Sequence, residues 1–168
     1  MVSLPTFPDM KPLRLGGGIQ LLQGGLKGNT KLAIGIDPGV NFAMTIINTE
    51  YVQVYYGKLK TDKRAGHRGI NAFEYLTSGI LANNQYSGFK AVVEGAAYNS
   101  QFGQVALEEV RFGFFFALHQ MGFDVSIVPP ATIRKGVLGS GRDTVPNYYP
   151  TMNHNAADSI GIAMYGLL

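Results

Sequence analysis

At 168 residues the chain is long enough for one domain with a real core, and 46% hydrophobic against 15% charged residues excludes wholesale disorder. There is no cysteine, which excludes disulfides and thiolate metal sites, and a net charge of +3 is only a mild bias toward polyanionic partners. The apolar runs are too short to span a bilayer and the first residues lack a basic-then-apolar pattern, so a protein that is not secreted, cytoplasmic or organellar, is expected.

Residues 1–30 are punctuated by Pro and Gly, from Met1-Val-Ser-Leu-Pro5 to Gly24-Gly-Leu-Lys-Gly-Asn-Thr30, and read as an extended arm preceding an ordered domain over 31–168. Lys31 to Asp37 is the first strand, Asn41 to Asn48 the second and Val52 to Lys58 the third. The short connector Asn48-Thr-Glu50 makes the second and third a hairpin. A helix follows over Gly69 to Asn83, with Ile70, Phe73, Leu76 and Leu81 at helical spacing. Phe89 to Glu94 is almost continuously apolar, as expected of a strand covered on both faces. Gln101 to Met121 is a long helix whose run Phe112-Gly-Phe-Phe-Phe-Ala-Leu118 suits a core face or a helix–helix dimer seam. Asp124 to Val128 is the fifth strand, ended by Pro129-Pro130, then come a short helix over Thr132 to Leu138 and a loop over Gly139 to Met152. The last helix runs from about Asn155 to Leu168. A leading hairpin and alternating strands and helices predict a mixed five-stranded α/β sheet with helices on both faces, the ribonuclease H-like arrangement.

Three acids stand out against this frame. Asp37 ends the first strand, Glu94 ends the fourth, and Asp158 lies in the amphipathic stretch Asn155-Ala-Ala-Asp158-Ser-Ile. An unpaired charge at the end of an apolar strand is costly, so these carboxylates require a partner or a metal. Magnesium takes oxygen ligands, commonly one or two carboxylates with waters and phosphate. Two such ions would activate a water and neutralise the leaving 3′ oxygen of a phosphodiester. Gly39 and Gly95 beside the acids permit close backbone approach to a ligand. Turn capping and lysine pairing account for any one acid and strain to account for all three. Lys58, Lys60, Lys63, Arg64, His67 and Arg68 form one basic group and Arg134, Lys135 and Arg142 another. Without the acids, both would read as solvated loops.

In these features the chain resembles the RuvC-type Holliday-junction resolvases of the retroviral-integrase superfamily. The matching residues are Ile36-Asp37-Pro38-Gly39, Val92-Val93-Glu94, Arg111-Phe-Gly, Ile133-Arg-Lys-Gly-Val-Leu-Gly139-Ser-Gly141 and Ala156-Ala157-Asp158, in order over about four-fifths of the chain. The resemblance implies a homodimeric endonuclease, dependent on two magnesium ions or on manganese in their place, that nicks opposing strands of four-way junction DNA. It implies that Asp37 bridges the metals and that Glu94 and Asp158 complete their shells. Arg134 or Lys135 falls near the scissile phosphate, Arg142, Lys63, Arg64 and Arg68 on the DNA face, and Tyr98 at a base-stacking position or in a buried ring's place.

The resemblance has three departures. Where the family carries a fourth metal-site Asp or His, this chain has Asn155, with His154 beside it. An amide is a weaker, neutral ligand and no general base. His154, four residues before Asp158, is a candidate substitute ligand, and replacement of an original aspartate at 155 is a third explanation. The segment Arg142 to Pro150 stands where the family commonly has a helix, and its two prolines argue against one. The first 30 residues match nothing in the family. Two alternatives accompany the resolvase expectation: a junction-binding protein that cuts poorly, and a nuclease of the same fold acting on RNA or flap DNA.

Overall fold

The first strand is apolar on both faces, and that dictates a sheet with cover on each side. In the computed structural model, which describes residues 32–48, 52–60, 62–78, 81, 87–97 and 104–168, Leu32 to Ile36 are all buried. The elements in chain order are β1 (Leu32–Asp37), β2 (Asn41–Asn48), β3 (Val52–Lys58), α1 (His67–Ser78), β4 (Lys90–Glu94), α2 (Gln104–Gln120), β5 (Asp124–Val128), α3 (Pro130–Leu138), a 3-10 turn (Val145–Tyr148) and α4 (His154–Leu167). The sheet order is β3-β2-β1-β4-β5. β1, β2 and β3 are antiparallel neighbours, whereas β4 runs parallel to β1 and β5 parallel to β4. This is the expected mixed α/β architecture.

Alternation along the strands sorts their side chains into two cores. Ile34, Ile36, Met44, Ile46, Ala91 and Val93 pack with Ala72 and Leu76 of α1 and Phe114 and Leu118 of α2. On the other face, Ala33, Ile47, Val92 and Val128 pack with Ile133 and Val137 of α3 and Ala156, Ile160 and Ala163 of α4. α4 sits hard against β1 because residue 35 has no side chain: a Cβ there would lie 2.1 Å from the Ala163 nitrogen. α1 and α2 cross as closely at Gly69 and Gly113, where a Cβ on Gly113 would lie 2.2 Å from the Gly69 carbonyl oxygen.

Several boundaries differ from the sequence expectation. α1 starts two residues early, at His67, and the far end of its expected span falls largely outside the described residues. α3 begins at Pro130 rather than Thr132, because proline at the first helical position needs no N–H partner and already has a helical φ. The expected loop over 139–152 contains a 3-10 turn with Pro146 in its first turn, where a missing N–H costs nothing. The expected arm of residues 1–30 and the expected stacking residue Tyr98 lie outside the described residues. No helix among the described residues is long and apolar enough to cross a membrane.

Candidate functional site

Side-chain parity decides which face of the sheet each acid occupies. Asp37 follows Ala33 and Gly35 at two-residue steps, and Glu94 follows Val92, so both point to the face that α4 covers. The β1–β4 register pairs Ile36 with Val93, and one further step brings Asp37 beside Glu94. α4 supplies the third acid. Asn153 caps its N-terminus by accepting the Asn155 backbone N–H at 2.9 Å, and Asp158 follows one turn into the helix.

The three carboxyls are partly buried, and they repel one another. Burial, reinforced by the Asp158 charge, pushes the Asp37 carboxyl up to about 7. Burial also pushes Glu94 up to about 8, with Asp37 and Asp158 adding to the rise and Arg134 and Arg111 opposing it. Asp158 is raised by burial and held back by the His154 and Arg134 charges. Asp37, Glu94, Asp158, Arg134 and His154 therefore form one electrostatic unit. Among the described residues, however, no three His, Asp or Glu side chains converge closely enough to make a ligand set as they stand. The chemistry of the donors fits a hard cation: all three acids offer oxygen, and a divalent charge offsets the burial and repulsion that raise all three.

The other expected residues divide. Arg134 on α3 belongs to the site, and its Nε is buried with no hydrogen-bond partner, a donor suited to an incoming oxyanion. Lys135 and Arg142 are exposed near by in sequence. His154 is exposed at the first residue of α4, and Asn155 directs its amide toward the Asn41 carbonyl at 3.5 Å. In the β3–α1 loop and the start of α1 the basic group is partly neutralised. Arg64 is bound to Asp62 at 2.6 Å, Arg68 lies 3.8 Å from Glu109, and Lys63 is exposed. Asp143 ties the 3-10 turn together by accepting from the Tyr148 hydroxyl at 2.6 Å, while the Tyr148 ring stays exposed.

Two features escaped the sequence reading. The hydroxyls of Thr45 and Ser159 meet at 2.7 Å beneath the site. Arg111 is 3% exposed, donates from Nε to the Glu94 carbonyl at 2.7 Å, and is ion-paired with Glu108. A signal existed for Arg111, since it lies on the apolar stripe at helical spacing with Phe114 and Leu118. For Thr45 and Ser159 no local signal exists, because they are 114 residues apart.

No protein-family model and no curated protein sequence matches the chain. Its fold, in contrast, is similar to that of solved structures of Thermus thermophilus RuvC. One superposes with a TM-score of 0.52 at 17% identity, covering 80% of this chain and 92% of that one. A second, of T. thermophilus RuvC in complex with a Holliday junction substrate, gives a TM-score of 0.52 at 16% identity over the same shares. The chain has a RuvC-like fold.

Proposed function

We propose that a protein with this RuvC-like fold and this acid cluster is a divalent-metal-dependent endonuclease that resolves four-way DNA junctions. The observation that carries the reading is the unit of three partly buried, mutually repelling carboxyls with Arg134 beside them. Its similarity in fold to a RuvC bound to a Holliday junction supports the choice of substrate.

Asp37, Glu94 and Asp158 would hold magnesium or manganese, which supplies the charge that lowers the pKa of a water and steadies the leaving oxygen. Arg134 offers its unpaired Nε to a phosphate oxygen, and Lys135 and Arg142 extend the positive face along the backbone. Lys63 and Arg64 from the β3–α1 loop and Arg68 from the first turn of α1 contribute to the same duplex contact, and Tyr98 stacks on a base. The chain acts as a homodimer in the cytoplasm or an organelle, with the exposed Phe112 and Phe116 of α2 in the seam.

A second reading is favoured by Asn155. Its amide donates toward the Asn41 carbonyl and cannot act as a base, which suits a junction-binding protein that cuts slowly, His154 being the nearest replacement ligand. A labelled four-way junction and a linear duplex of the same sequence separate the two, assayed for binding in calcium and cutting in magnesium. Paired nicks by the parent chain establish the resolvase. Selective binding with cutting only after Asn155→Asp establishes the junction binder, and no preference for the junction discards both in favour of RNA or flap substrates.

A further inference from the structure

The carbonyl of Glu94 has lost its place in the sheet. β4 lies between β1 and β5, and the Gly95 N–H points to β5, where it bonds the Val128 carbonyl at 2.8 Å. Peptide groups of successive strand residues point to opposite sides, so the Glu94 carbonyl points to β1. Continuing the parallel register one step past Ile36 and Val93 makes the N–H of residue 38 its donor. Residue 38 is proline and has no N–H.

Arg111 supplies the missing donor from the opposite layer. Its Nε reaches the Glu94 carbonyl at 2.7 Å, and Glu108, one turn earlier on α2, holds the other end of the guanidinium. The contact is to the main chain, so it anchors the end of β4 without occupying a carboxylate oxygen. An arginine that is 3% exposed, on a stripe otherwise built of Phe114 and Leu118, is expensive to bury unless its hydrogen bonds are made.

We infer that Arg111 is a positioning residue: by replacing the ladder bond that Pro38 cannot make, it holds the β4 terminus so that the Glu94 carboxylate presents itself beside Asp37. This rests on the proposed cation site.

The test uses the full chain, Arg111→Lys, and Arg111→Lys combined with Pro38→Ala. Mn2+ binding is titrated without nucleic acid by the loss of the free-ion electron paramagnetic resonance signal, beside thermal unfolding in EDTA and junction cleavage. Lysine keeps the buried charge near Glu108 but not the planar fork, so metal-free unfolding stays cooperative. Mn2+ affinity falls about ten-fold or more, as for residues that orient metal ligands. Pro38→Ala restores an N–H and recovers part of that loss, which a merely structural role for Arg111 does not predict. Unchanged Mn2+ affinity in a folded Arg111→Lys chain overturns the inference, as does a double variant that recovers nothing. If Arg111→Lys does not fold, Glu108→Gln, which frees the far end of the guanidinium, takes its place: weaker Mn2+ binding supports the inference and unchanged binding overturns it. A parent that cuts junctions while the variants bind Mn2+ unchanged removes the inference and leaves the nuclease. Mn2+ binding that follows Arg111 in a chain that cuts nothing keeps the inference and removes the nuclease. A parent without Mn2+ affinity overturns both.

Discussion

The hydroxyl of Thr45 in β2 donates to the hydroxyl of Ser159 in α4, 2.7 Å away and fully buried. The direction follows from Ser159, whose single proton goes to the Ala156 carbonyl at 2.7 Å, leaving its oxygen as the acceptor. This bond joins the sheet to the helix one residue after Asp158. Ser159→Ala strands the Thr45 proton in the core and is expected to cost about 1–3 kcal/mol. Thr45→Val combined with Ser159→Ala removes both polar groups and costs less than the sum of the single changes. Chemical denaturation of the three variants checks this, and additive losses would show that the bond is not coupled.

Asp37→Asn is expected to abolish cleavage while leaving junction affinity in calcium close to that of the parent. The substitution removes the carboxylate most central to the proposed cation site and keeps its volume. Cutting at the parent rate would show that the acid cluster is not the reaction centre.

The same acids make metal-free stability depend on pH. Asp37 and Glu94 keep their protons up to about 7 and about 8 in the fold, against 3.8 and 4.5 for the unperturbed carboxyls. Across that interval the folded chain binds more protons than the unfolded chain, so stability falls as pH rises. Their stabilising share is whole below about pH 4 and gone above about pH 8. Asp62 and Asp143, held low by Arg64 and Tyr148, act in the opposite sense and only at acid pH. The melting temperature in EDTA should therefore decline from about pH 5 to about pH 8, recover on adding Mn2+ at the upper end, and decline less in Asp37→Asn. A flat or rising profile would contradict the burial and repulsion assigned to these groups.

Arg134→Ala and Lys135→Ala should each weaken junction binding and lower the salt slope of log affinity by about one. The Arg134 change should also depress cutting further than binding, because its charge acts directly on Glu94 and Asp158. Unchanged affinity and slope in both variants would take α3 off the DNA face.

Phe112 and Phe116 project from α2 at 46% and 56% exposure, with Ile70 and Val105 close by in the same groove, which encloses a volume of about 940 Å³. An apolar surface of this kind suits self-association. Phe112→Glu with Phe116→Glu should convert the proposed dimer to a monomer in sedimentation. A double variant that sediments with the parent would place the seam elsewhere.

Local chemistry made much of this protein legible from its sequence. Alternation and helical spacing identified the five strands, the long helices and the sheet class, because these patterns act over a few residues. The same patterns marked Asp37 and Glu94, since a carboxylate closing an apolar run is anomalous wherever it falls, and Asp158 as the acid of an amphipathic helix. Packing decided the rest. Parity and register turned two strand-end acids toward one helix, and the missing side chain at Gly35 let that helix approach until Asp158 joined them. The elevated carboxyls, the Thr45–Ser159 bond and the Arg111 contact to Glu94 each arise between segments far apart in the chain. Their distances are set by how layers meet, and no periodicity in the letters encodes that.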